Sequence, residues 1–165
     1  MDFKLKTSPW LTKQSIQFLD KFLNEAPRKV LELGSGASTI WFAQRTQDLT
    51  SFEHDLRWYD VVNKELDKQN LKVDYHLFNG SYAKELKNLP TNYFDLILVD
   101  GKDRIECIKN SIALLKSGGI LMLDDAQRKH YAVVNELLKD WQFFTTEDYD
   151  EEKKHNFETN WWVKL

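Results

Sequence analysis

VLELGSGAST, residues 30–39, joins a short apolar run to a glycine-rich turn and then to a helical pattern. Lys29 to Leu33 has the length and composition of a strand, and Thr39 to Arg45 reads as helix. A strand that ends in a glycine turn and opens a helix gathers backbone N–H groups and a helix N-terminus at one point, where nucleotide-like ligands are held. Gly34 and Gly36 let the chain turn tightly and let a ligand approach where a Cβ would collide. The pattern is G-x-G-x-x-T, with Thr39 where the dinucleotide fingerprint has its third glycine. Taken alone, this fits a ligand-free turn equally well. The next strand, Leu49 to Glu53, ends in an acid about 20 residues beyond the loop, where a ribose-binding carboxylate is expected. The two features together favour a nucleotide-like cofactor with Glu53 on its ribose.

Upstream, Leu11, Ile16, Phe18, Leu19, Phe22 and Leu23 share one helical face and Pro27 ends the run, which predicts a helix over Leu11 to Glu25. Downstream the alternation continues, with a helix from Arg57 to Gln69 and a strand from Lys72 to Phe78. FDLILV, Phe94 to Val99, is nearly all apolar, as a strand covered on both faces should be. A helix over Arg104 to Leu115, a turn at Lys116 to Gly119 and a strand from Ile120 to Leu123 follow, the last ending in Asp124 and Asp125. Tyr131 to Lys139 is the next helix. Strand-like runs at Trp141 to Thr146 and Thr159 to Leu165 then predict an antiparallel hairpin, with the charged stretch EDYDEEKKHN (147–156) read as a solvated loop. The expected fold is a three-layer, doubly wound α/β structure of the Rossmann-like kind, its sheet mostly parallel and seven-stranded, closed by a C-terminal hairpin.

A chain of 165 residues that is 42% hydrophobic is the size of one globular domain with one substantial core. The net charge of -3 comes from 23 basic and 26 acidic residues with no block of one sign, so no nucleic-acid partner is expected. Cys107 is the only cysteine, which excludes an intrachain disulfide and a Cys-rich metal site, and makes a reducing cytoplasm the expected setting. The first residues mix Lys and Asp into their apolar positions, unlike a signal peptide. No segment approaches the roughly 20 apolar residues of a membrane span, so no membrane partner is expected either.

Several segments resemble, in order from Val30 to Asp125, the motifs of class I S-adenosylmethionine-dependent methyltransferases. VLELGSGAST is similar to motif I, SFEHD (51–55) to the second motif, FDLILVDG (94–101) to the fourth and LLKSGGILMLDD (114–125) to the fifth. The resemblance implies S-adenosylmethionine as cofactor. It implies that Gly34, Ser35 and Gly36 line the methionine part, that Glu32 supports the loop and that Glu53 holds the ribose hydroxyls. Asn79, Gly80 and Ser81 would border the adenine, and Asp100 would stand next to the methyl-transfer position.

Asp100, Asp124 and Asp125 end two strands that should be neighbours, so their carboxylates converge at the ligand crevice. Clustered acids repel, and the cluster requires a cation, a proton or donor groups; an all-oxygen set suits Mg²⁺ or Ca²⁺. LVDGKDR and LMLDDA are similar to the metal-binding segments of divalent-cation-dependent O-methyltransferases of the catechol and macrolide-sugar types. This implies Mg²⁺ or another divalent cation on Asp100, Asp124 and Asp125, with Lys102 as base, although the catechol segment is one residue longer before its lysine. Metal-free members of the class also carry acids at these strand ends, where Asp100 or Asp124 caps a helix or orients substrate. Both readings are open at this level.

The implied reaction is an in-line displacement at a sulfonium carbon, in which the enzyme aligns the acceptor and supplies a deprotonated nucleophile. The expected activity is O-methylation of a small hydroxyl-bearing acceptor, a sugar or phenol, with Asp100 and Lys102 catalytic. Residues 1–165 form one expected domain, with 1–28 a helical segment placed over the acceptor site and Trp10 within it. No sizeable insertion follows the fourth or fifth strand, so the site is left open or is completed by another subunit, as in a homo-oligomer, and a polymeric glycan or protein acceptor stays open beside the small one. Two alternatives stand beside this reading. An NAD-dependent oxidoreductase uses the same kind of loop and acid, but Thr39 and the EHD segment argue against it. A catalytically inactive cofactor-binding partner subunit is the other, and the intact acids argue against that.

Overall fold

The computed structural model describes residues 4–165; residues 1–3 of the expected N-terminal segment lie outside that range. Helix α1 (Lys13–Glu25) leads into β1 (Lys29–Leu33), α2 (Ala37–Ala43), β2 (Asp48–Glu53), α3 (Leu56–Lys68) and β3 (Asp74–Leu77). The second half runs β4 (Phe94–Val99), α4 (Arg104–Ser111), β5 (Leu115–Leu123), α5 (Ala132–Leu137), β6 (Gln142–Asp150) and β7 (His155–Val163). The strands form one seven-stranded sheet ordered β3-β2-β1-β4-β5-β7-β6, in which β7 runs antiparallel to β5 and β6 while the other pairs are parallel. The expected Rossmann-like architecture with its terminal hairpin is therefore present.

The central strands are mostly apolar because both faces of the sheet are covered. Leu31, Leu33, Ile97, Val99, Leu121 and Leu123 turn to one face, against Cys107 and Ile108 of α4 and Val134 of α5. Val30, Leu96, Leu98, Ile120 and Met122 turn to the other, against Leu19 and Leu23 of α1 and Trp41 and Phe42 of α2. Each fully buried side chain of this kind contributes roughly 1.5–3 kcal/mol. The strand order is wound outward in opposite directions from β1 and β4, which run parallel, so the crevice of a doubly wound sheet opens at their C-terminal ends. Among the described residues, no helix is long and apolar enough to cross a membrane.

Three segments differ from expectation. The turn at Lys116–Gly119 is a bulge inside β5: the register jumps from Phe94↔Leu115 to Leu96↔Ile120, and Gly118 at φ +75° lets the segment bond to Lys164 on both sides. The helix after Arg104 stops at Ser111 and tightens to a 3-10 turn over Ile112–Leu114. The charged stretch 147–156 is mostly not loop, since Glu147–Asp150 pair in register with His155–Glu158. Charges cost little on an edge strand with solvent beside it, so their density concealed a strand. The remaining turn is held by Asp150 Oδ1, which accepts from the N–H groups of Glu152 and Lys153 at 2.9 and 3.0 Å.

Candidate active site

The glycine loop is built from Glu32 outward. Glu32 is fully buried at the end of β1 and accepts hydrogen bonds from the hydroxyls of Ser38, Thr39 and Ser51. Burial pushes its carboxyl up to about 7 even though those three hydroxyls hold it down. Thr39, standing where a third glycine was absent, also accepts the N–H of Gly36 at 3.0 Å, so its hydroxyl bridges loop and acid. Gly34, at φ +105°, passes so close to the end of β4 that a Cβ on it would sit 2.6 Å from Gly101 Cα. A Cβ on Gly36 or Gly80 would meet nothing within 4 Å, which leaves open space for a ligand at both.

Glu53 ends β2 beside this loop. One of its oxygens accepts from the N–H and hydroxyl of Ser35 at 2.9 and 2.6 Å, and the other from the N–H groups of His54 and Asp55 at 2.7 and 2.9 Å. Ser35 and Glu53 are thus brought together, the Ser35 hydroxyl also meeting Tyr75 at 2.7 Å. Asn79, Gly80 and Ser81 follow β3 in an irregular segment whose start is fixed by the Phe78 N–H donating to Glu53 O at 2.8 Å.

Asp100, Asp124 and Asp125 all line one cavity of about 620 Å³, together with Ser35, Gly36 and Ser38. Burial raises the Asp100 carboxyl to about 6, with Arg104 lowering it and Asp125 raising it. Asp124 is buried and its carboxyl is raised well above the usual range, first by burial and then by Asp100 and Asp125. Asp125 sits at φ +50°, a conformation that Asp tolerates better than most residues. Each acid has a donor: Arg104 on Asp100 at 3.2 Å, Thr159 on Asp124 at 3.0 Å and Arg128 on Asp125 at 2.8 Å. Among the described residues, no group of three acidic, imidazole or thiol side chains is placed to hold a metal ion. The set as it stands does not fit the expected Mg²⁺ cage. Lys102 is exposed and absent from the cavity wall, its backbone N–H bonded to the Tyr82 hydroxyl at 3.2 Å.

The cavity is covered from two sides, and the share taken by the hairpin was not expected. Leu5, Lys6, Trp10 and Leu11 close it from the N-terminal side, and Tyr149, Lys153 and Phe157 from the extended hairpin. The two covers are tied together by Lys6 to Glu152 at 3.3 Å and by the Lys13 N–H donating to Asp148 at 2.6 Å. Arg104, Arg128 and Thr159 had gone unassigned in the sequence. The need of three acids for compensating charge is the signal for the two arginines, which stand four and three residues after Asp100 and Asp125. No pattern in the sequence marks Thr159, which reaches Asp124 only through the pairing of β5 with β7.

A family model for a methyltransferase domain matches residues 31–126. No curated protein sequence matches the chain. Among solved structures, a candidate O-methyltransferase from Klebsiella pneumoniae is similar with a TM-score of 0.77 at 18% identity, over 96% of this chain and 84% of that one. The O-methyltransferase TomG of Streptomyces achromogenes, involved in tomaymycin synthesis and solved with S-adenosylmethionine, gives 0.75 at 19% identity over 94% and 82%. A precorrin 8w decarboxylase from Methanobacterium thermoautotrophicum gives 0.70 at 16% identity over 99% and 97%. At these identities the likeness is one of fold.

Proposed function

The chain belongs to the methyltransferase-domain family and is an S-adenosylmethionine-dependent methyltransferase; we propose that it methylates a hydroxyl of a small acceptor, a sugar or phenol, held in the cavity above Asp100. The observation that carries this reading is that the glycine loop, Ser35 to Ser38, and the acids Asp100 and Asp124 are walls of the same cavity. Donor and acceptor therefore meet without either crossing the sheet.

S-adenosylmethionine supplies a sulfonium methyl group, which passes to an oxygen nucleophile with inversion. Gly34, Ser35 and Gly36 hold the methionine part, and Glu53 takes the ribose hydroxyls by giving up the Ser35 hydroxyl it now accepts. Asn79, Gly80 and Ser81 border the adenine. Asp100 receives the proton that the acceptor oxygen loses as the carbon–oxygen bond forms, a role its raised pKa suits. Lys102 is too far out on the surface to be our choice of base. Trp10 and Tyr149 supply aromatic faces for a ring-shaped acceptor.

The test has two parts. Calorimetric titration of the full chain with S-adenosylhomocysteine should show binding that Glu53→Ala abolishes, and titration with NADH should show none. Radiolabelled methyl transfer should then appear on hydroxyls in a panel of sugars and phenols. Transfer confined to amines or to polymeric acceptors would overturn the acceptor assignment.

A further inference from the structure

We propose that Arg104 and Arg128 supply from within the chain the positive charge that the acids at the ends of β4 and β5 require, in the place a divalent ion would otherwise take. The inference rests on the methyl-transfer reading for the purpose of the charge, though not for its geometry.

Arg104 is the fixed half of this device. Its side chain is only 10% exposed, and its guanidinium donates to the carbonyls of Gly101 at 3.0 Å, Asp100 at 3.1 Å and Asp124 at 2.7 Å while facing the Asp100 carboxylate at 3.2 Å. Those carbonyls lie just past the C-terminal ends of two neighbouring strands, so one planar group fixes the spacing of β4 and β5 and neutralises the acid between them. Withdrawing it would strand three carbonyl oxygens and a half-buried carboxylate, each a desolvation cost. A lysine could not do the same, because an ammonium lacks the fork of five donors.

Arg128 is the accessible half. It lines the cavity, is 49% exposed and holds Asp125 at 2.8 Å, three residues back along the turn. Asp125 also accepts from Gln127 at 3.4 Å, and Gln127 in turn accepts the Glu158 N–H at 2.9 Å, so the turn carrying Arg128 is anchored to β7. The third acid, Asp124, is satisfied by the Thr159 hydroxyl. A Mg²⁺ or Ca²⁺ ion needs six or more oxygens at about 2.0–2.6 Å. Here one oxygen of Asp100, one of Asp124 and both of Asp125 are already engaged by protein donors, and two of those donors, Arg104 and Arg128, are cations that would repel an incoming ion.

Mn²⁺, a paramagnetic stand-in for a hard divalent ion, is the probe, read by electron paramagnetic resonance on the full chain with S-adenosylhomocysteine present. Wild type is expected to leave the free-ion signal undiminished, and methyl transfer is expected to survive dialysis against EDTA. Arg128→Gln and the Arg104→Gln/Arg128→Gln double variant are expected to bind Mn²⁺, because the freed acids then lack their cations. Arg128→Gln is the safer variant, since that side chain is half exposed. Loss of the Mn²⁺ signal on wild type that Asp124→Asn restores would overturn the proposal, as would failure of both arginine variants to bind the ion while folded. S-adenosylhomocysteine affinity, measured on the same samples without metal, reports separately on the cofactor reading.

Discussion

Thr159 on β7 donates its hydroxyl to Asp124 at the end of β5, at 3.0 Å, and accepts the backbone N–H of Thr12 at 3.1 Å. One buried hydroxyl thus joins the N-terminal cover, the hairpin and the acid cluster. Thr159→Val preserves shape but leaves a buried N–H and a buried carboxylate without their partner, at a cost of about 1–3 kcal/mol. Urea denaturation should show that loss, with Thr159→Ser recovering most of it. A Thr159→Val protein as stable as wild type would remove the link.

Gly34 and Gly36 differ in what a Cβ on each would meet. Gly34→Ala forces a Cβ to 2.6 Å from Gly101 Cα at φ +105°, so the variant should be severely destabilised or insoluble. Gly36 is extended at φ 167° with open space around its missing Cβ. Gly36→Ala should therefore melt within about 0.5 kcal/mol of wild type. Its affinity for S-adenosylhomocysteine should fall at least about tenfold, equivalent to about 1.4 kcal/mol. Unchanged affinity by calorimetry would mean that the open space is not on the ligand's side.

Glu32 makes stability depend on pH. Its folded pKa, about 7, is above the ordinary 4.5, so folding favours the protonated form. The contribution is complete below the unfolded value and is lost as pH rises through the folded one, a swing of about 3 kcal/mol. Asp100 and Asp124 are shifted in the same direction and add to it. Thermal melts from about pH 5 to 8 should show wild type losing stability, and Glu32→Gln should have a shallower slope. Equal slopes would place the titration elsewhere.

Trp10 is half exposed on the cavity wall, with Lys6 Nζ 4.8 Å and Lys153 Nζ 4.9 Å from its ring centroid. Each cation–π contact is worth about 0.5–1 kcal/mol at an exposed site, so the ring position is set by the two covers together. Trp10→Ala should raise KM for the acceptor about tenfold, with S-adenosylhomocysteine affinity unchanged. A fall in cofactor affinity instead would place Trp10 on the donor side.

The sheet was legible because its causes are local. FDLILV is apolar but for Asp95 because both faces of β4 are covered, and VLELGSG turns where Gly34 must pass Gly101. Glu32, the glycine loop and Glu53 were legible for the same reason: each lies at or near the end of a strand that its own local pattern marks. EDYDEEKKHN was misread because charge density marks solvent, and an edge strand has solvent too.

By itself, then, the sequence determined the alternation of strands and helices, the glycine loop between β1 and α2 and the three acids at two strand ends, since periodicity and turn chemistry act over a few residues. Only the tertiary structure decided what balances those acids and that the hairpin shares in roofing the cavity. Arg104, Arg128 and Thr159 reach the acids, and Lys6 reaches Glu152, through pairings whose partners are chosen by packing in three dimensions, where long-range contact rather than local pattern fixes each distance.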